Sequence, residues 1–144
     1  MQYQVQEMLR IERIFEAAGI DEELLAYNPL IPDGCNWKAT FMIEYGDAEE
    51  RRVALGQLVG IEDRVWVQAT GCERVYAIAD EDLERVREEK TSAVHFMRFQ
   101  LPADVVSALK SGATLEMGVD LPAYMHSTGA LVGATRSALM ADLA

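Results

Sequence analysis

The sequence predicts an α+β fold, a two-layer sandwich with a mixed or antiparallel sheet and helices packed mainly on one face. Three observations point there. Helical spacing of apolar residues fills the N-terminal segment, β-formers set in at Trp37, and short strand-like and helix-like stretches then alternate. The 144 residues fall within the range of one domain, so 1–144 reads as a single α+β domain. A chain of this size can bury roughly 70% of the surface its unfolded form exposes, enough for a core without covalent staples.

Val5, Met8, Leu9, Ile11, Phe15 and Ala18 form an apolar stripe from Val5 to Ala18, with Gly19 as the expected C-terminal cap. Asp21 is then expected to cap a short second helix that ends at Asn28-Pro29, because a residue before proline avoids helical geometry. Pro32-Asp33-Gly34 makes a turn. A strand follows from Trp37 to Tyr45, and Asp47 with Glu50 opens a helix that Gly60 stops. Arg64–Ala69 and Arg74–Ile78 read as an antiparallel hairpin around Gly71. Asp80–Glu89 reads as a short charged helix and Thr91–Gln100 as a strand, and Pro102 opens a helix ending near Gly112. Thr114–Val119 is the expected final strand. An irregular stretch from Pro122 and a terminal helix, Thr135–Leu143, complete the chain.

One internal similarity is visible. Phe41-Met42 and Phe96-Met97 each begin a strand–helix–strand unit, and the units superimpose at a separation of about 55 residues, allowing one gap. Shared β-α-β grammar explains this as well as duplication does. If the paired strands are parallel, the crossovers should be right-handed.

Charge and composition exclude several classes. With 13 basic against 24 acidic residues, the formal charge is −11. Binding a polyanion requires clustered Lys and Arg, so neither nucleic acid nor an anionic membrane is an expected partner. No apolar run reaches the roughly 18 residues of a membrane helix, and Met1–Arg10 does not resemble a secretory leader. Cys35 and Cys72 stand apart and outside any CxxC spacing, which favours free thiols, a reducing compartment and a soluble, cytoplasmic protein.

Reactive residues are few. The P-loop, dinucleotide, G-x-S-x-G and H-E-x-x-H motifs are all missing. His95, His126, Cys35 and Cys72 provide no local chelating pair, so no metal site and no cofactor is expected. By strand alternation His95 shares a face with Met97 and Phe99, whereas Arg98 shares the other with Val94 and Phe96. His95 reads first as a hydrogen-bonded packing residue, or else as a general base or ligand contact at a pocket rim. Glu7 and Arg10, at i,i+3, read as a surface ion pair, or else as an arginine held to grip a partner's carboxylate. Tyr124 and His126 lie in a loop punctuated by Gly and Pro, where binding residues often sit.

The blocks Gln6–Arg10, Glu12–Ile14, Tyr27–Gly34, Gly60–Arg64, Tyr76–Asp80 and Thr91–Phe96 together resemble the uncharacterised bacterial domain-of-unknown-function family 3501. The resemblance runs through nearly the whole chain. Members of that family usually carry a strand-like segment ahead of the Gln-Glu-Met block, so this chain looks short or trimmed, and an edge left open would invite homodimerisation. They also often place a histidine where Leu121 stands. The resemblance further implies a context beside rubrerythrin-like di-iron proteins and iron–sulfur proteins, hence peroxide defence or electron transfer. The expectation is therefore a non-catalytic accessory or binding protein, with a protein partner from such an iron-dependent redox system. The alternative is an enzyme or small-ligand binder with a pocket over the sheet near His95, Arg98 and Tyr124.

Overall fold

Residues 1–81 and 91–144 are described by the computed structural model, and they fall into two units, Met1–Pro32 and Asp33–Ala144. The expected helix over Asp80–Glu89 lies, but for its first two residues, outside the described residues.

The first unit holds helices α1 (Gln2–Glu12) and α2 (Ala17–Tyr27) and a 3-10 turn, Asn28–Leu30. The single helix expected over Val5–Ala18 is broken. It stops at Glu12, where Arg13 turns left-handed at φ 55° and Ile14 donates its backbone N–H to the Leu9 carbonyl (3.0 Å). Gly19 is not the cap but lies inside α2, and a Cβ there would sit 2.6 Å from Ile14 Cγ2. The glycine thus serves close packing rather than a left-handed turn. Asp21, expected as an N-cap, is also inside α2, whose N-cap position is Glu16.

Among the described residues, the second unit holds seven strands and three α-helices: β1 (Asn36–Met42), α3 (Ala48–Gln57), β2 (Val65–Ala69), β3 (Val75–Tyr76), β4 (Ile78–Ala79), β5 (Val94–Gln100), α4 (Ala103–Lys110), β6 (Leu115–Leu121), β7 (Tyr124–Ala130) and α5 (Gly133–Ala141). The fold class is α+β. Every strand pairing is antiparallel, and the strands form two sheets ordered β1-β5-β4 and β3-β2-β6-β7. The hairpin of β2 and β3 forms as the Gly71 turn predicts, with φ +85° at that glycine. The expected strand Arg74–Ile78 is divided. At Ala77, whose N–H bonds the Val65 carbonyl (2.9 Å), the chain passes from the second sheet to the first.

The two strand–helix–strand units are β1-α3-β2 and β5-α4-β6. Each sends its first strand to one sheet and its second to the other, and equivalent strands pair antiparallel, with Ala39 opposite Met97 and Val67 opposite Met117. Like pairing with like in antiparallel sense is what an approximate two-fold axis produces. No parallel strand pair occurs among the described residues, so no right-handed crossover arises.

The last sheet strand is also a correction. Leu115–Leu121 is not final, because the stretch read as irregular after Pro122 contains β7. A two-residue turn at Pro122-Ala123 lets β7 fold straight back on β6, with Leu121 opposite Tyr124.

The inward side chains of both sheets, Trp37, Met97 and Phe99 from one and Val67, Ala69 and Leu115 from the other, meet in one core closed by Val105 and Leu109 of α4. A smaller cluster joins Ala54 and Leu55 of α3, with Leu58 after it, to Ile43, Ile61 and Val119. Trp37 Nε1 donates to the Leu139 carbonyl (3.0 Å) and so ties α5 to β1. Among the described residues, no helix is long and apolar enough to cross a membrane.

Asp47 caps α3 by accepting from the Glu49 and Glu50 N–H groups at 2.8 and 2.9 Å. Asp47→Ala should cost about 1 kcal/mol in urea unfolding, and Asp47→Asn a few tenths at most, since asparagine caps nearly as well.

Candidate functional site

Strand alternation places His95, Met97 and Phe99 inward, and the ring of His95 is almost fully buried. Two of its partners lie just ahead of it in the chain and the third comes from the end of β4. Nδ1 lies 2.7 Å from Asp80 Oδ2, and Nε2 lies 3.0 Å from both the Ser92 carbonyl and Thr91 Oγ1. Thr91 Oγ1 in turn reaches Glu62 Oε2 at 3.2 Å. Asp80 has a left-handed backbone at φ 52°, and its second carboxylate oxygen accepts the Phe96 N–H (3.0 Å).

A hydroxyl, an imidazole and a carboxylate in sequence have the outline of a nucleophile–base–acid relay. The contacts oppose that use. The Asp80 carboxylate can only accept, so Nδ1 donates to it, and Nε2 is shared between the Ser92 carbonyl and the Thr91 hydroxyl. A base requires a free lone pair at Nε2. Thr91 is itself buried and directs its hydroxyl towards Glu62. His95 and Thr91 together join β5, the end of β4 and the Ile61–Arg64 turn.

Arg98, on the outward face of β5, donates to Glu81 through Nε (2.8 Å) and Nη2 (2.7 Å), and to Gln100 through Nη1 (2.5 Å). Arg98's hydrogen bonds hold the Glu81 carboxyl below its usual range, against the smaller opposing effect of desolvation. In the first unit, Arg10 is taken up by Glu7 of its own helix through Nη2 (2.9 Å) and Nε (3.2 Å), on an exposed surface. Such a pair contributes a few tenths of a kcal/mol. His95, Arg98 and Tyr124 occupy three separate places: the core, the outer face of the first sheet, and the opposite sheet. The cleft that Tyr124 lines contains neither of the other two.

A different arrangement does form. β1 and β7 are the outer strands of their sheets, and between them opens a cleft of about 520 Å³. Its walls are mainly apolar, with Phe41, Met97, Phe99 and Met117 among them. Polar groups enter from β7 at alternate positions, Tyr124, His126 and Thr128, and from Thr40 and Glu44 on the β1 side. The Tyr124 and His126 rings are neighbours, with centroids 6.2 Å apart and planes tilted by 40°. Neither His95 nor Arg98 is part of this lining. The period-two spacing of Tyr124, His126 and Thr128 is a strand signal in the sequence, masked there by Pro122 and Gly129.

On the other face of β2 and β6, Asp120 gathers cations. Tyr76 Oη donates to its Oδ2 (2.5 Å), Arg74 Nη1 donates at 3.2 Å, and Arg64 Nη1 lies 4.0 Å from Oδ1. Nothing local in the sequence connects these four residues. Among the described residues, no three His, Cys, Asp or Glu side chains converge to hold a metal ion.

The model of the family of unknown function DUF3501 matches residues 1–143. The chain belongs to the DUF3501 family. A solved structure, a novel protein of unknown function from Burkholderia pseudomallei, is 51% identical. The match covers 99% of the DUF3501 chain described here and 74% of the Burkholderia chain, with a TM-score of 0.83. No curated protein matches this DUF3501 member.

His95→Ala should cost about 3 kcal/mol in urea unfolding, since it empties a buried ring position and removes its hydrogen bonds to Asp80 and Ser92. The Glu81–Arg98 pair carries a pH signature. A carboxyl lowered in the folded state stabilises above its ordinary value of 4.5 and loses that contribution as pH falls through the lowered one. The urea midpoints of wild type and Arg98→Met should therefore converge on acidification.

Proposed function

We propose that this chain is a non-catalytic binding protein that seats a small, largely apolar molecule in the cleft between β1 and β7. The cleft itself carries the reading. Its volume of about 520 Å³ falls within the 300–1,000 Å³ typical of small-molecule sites, and apolar walls with a few placed polar groups are the usual lining of such sites. The buried Asp80–His95 pair lies apart from the cleft and its ring nitrogens are committed, which supports holding a ligand rather than transforming it. An accessory role beside an iron-dependent redox protein, which the family resemblance implies, is compatible with a chain that carries a ligand.

The test uses anilinonaphthalene sulfonate as a fluorescent probe. Ala39 lines the cleft, so Ala39→Phe should fill it and weaken dye binding about tenfold, in line with the 1–3 kcal/mol cost of overfilling a site. Urea unfolding of the variant verifies that it is folded. Failure of the wild type to bind the dye, or equal binding by the folded variant, would overturn the reading.

A further inference from the structure

β7 is an edge strand without the usual guards. Edges are normally shielded by lysine, proline or inward-pointing charge, yet Tyr124–Ala130 contains no Lys, Arg, Asp, Glu or Pro. The register irregularity opposite Glu116 and Gly118 touches only its far end. Both faces of the strand are bare. Tyr124 and His126 lie opposite Leu121 and Val119 and point inward with them, yet Tyr124 is 47% exposed and His126 is exposed as well. On the other face Met125 is 74% exposed.

The backbone adds a row of unused donors and acceptors. Leu121 and Tyr124 flank a two-residue turn and so form a hydrogen-bonded pair of the ladder, and Val119 with His126 repeats that arrangement two residues on. The His126 carbonyl accordingly turns towards β6, where a Cβ on Gly118 would meet its oxygen. Met125 and Ser127 alternate with these residues, so their N–H and C=O groups point away from β6, and neither has a backbone partner among the described residues. The same holds across the cleft. Ile43 N–H bonds the Ala93 carbonyl (2.8 Å) and Leu101 N–H the Cys35 carbonyl (2.9 Å), which sets the phase of the β1–β5 ladder. Lys38, Thr40 and Met42 therefore turn their backbone groups to the open edge of β1.

We infer that the molecule seated in the cleft is a short, extended, basic peptide of alternating apolar and polar residues, added as an antiparallel strand to the free edge of β7. This deepens the cleft-binding reading and rests on it. A polypeptide backbone offers donors and acceptors at the two-residue repeat that Met125 and Ser127 present, and strand addition to an open edge is an established mode of peptide recognition. Residues directly opposite in a ladder share a face. The peptide's polar residues therefore lie opposite Met125 and Ser127 and exchange hydrogen bonds with them, while its apolar side chains enter the cleft among Phe41, Met97 and Met117. Charge selects a basic peptide over an acidic one, because Glu44 lines the cleft and the whole chain has a formal charge of −11.

The experiment uses the capped peptide acetyl-Thr-Val-Lys-Val-Thr-Val-amide and two N-methylated analogues, titrated calorimetrically into the whole chain. Methyl groups on the Thr and Lys nitrogens block the donors that would face β7, whereas methyl groups on the Val nitrogens leave those donors intact. The first analogue should bind about tenfold more weakly than the parent, the effect of losing one or two neutral hydrogen bonds. The second should stay close to the parent. Hydrogen exchange read by NMR should slow about tenfold at the Met125 and Ser127 amides in the parent complex. Equal binding of the two analogues, or slowing confined to amides outside β7, overturns the inference, while anilinonaphthalene sulfonate binding would still uphold the cleft. Absence of binding by the parent peptide overturns the inference as well, and loss of the dye with it removes the cleft reading too.

Discussion

The second unit depends on the point where one extended stretch changes sheets. At Ala77 a backbone hydrogen bond to Val65 holds the chain as Val75 and Tyr76 leave β2 and Ile78 and Ala79 join β5. That crossing joins the two sheets along one margin. At their other margins, β1 and β7 have no strand between them among the described residues, and the cleft follows from that. A side chain larger than alanine at this buried position would push against the core that both sheets share.

Pairing of equivalent strands sets the rest of the interior. β5 lies against β1 and β6 against β2, so each sheet contains one strand from each strand–helix–strand unit. The helices then fill different spaces, α4 under the main core and α3 under the smaller cluster around Ile43 and Ile61. The two halves accordingly share one backbone plan but pack their helices against different cores.

Much of this was legible in the amino acids, and the failures have physical causes. The Asp47 cap, the Gly71 hairpin and the two faces of β5 follow from local chemistry, and each forms where the residues indicate. The break at Arg13 was hidden because an arginine in left-handed geometry has no sequence signature, while Gly19 offered a false one. β7 was missed because Pro122 and Gly129 suggested a loop, although they mark a tight turn and an irregular register beside β6. For the site, Tyr124 and His126 were singled out from a supposed loop, whereas the structure places them on one face of β7. The pairing of His95 with Asp80, and of Trp66 with Gly118, joins residues far apart in the chain, and no spacing rule announces such contacts. The inward placement of His95 was recognisable from strand alternation, but its hydrogen-bond partner Asp80 was not.

Asp80 does two jobs at once. One carboxylate oxygen stands in for a strand carbonyl by receiving the Phe96 amide, while the other holds the His95 ring. A side chain thus continues the hydrogen-bond ladder for one step after the backbone has turned away, and β4 can end after two residues without stranding its neighbour's donor. The two jobs make different demands on chemistry. Asparagine would tolerate the left-handed backbone and still receive the amide, but its other side-chain atom is a donor and cannot replace the acceptor that the carboxylate offers to Nδ1. The aspartate at this position is thus tied to the histidine, and the short strand to them both.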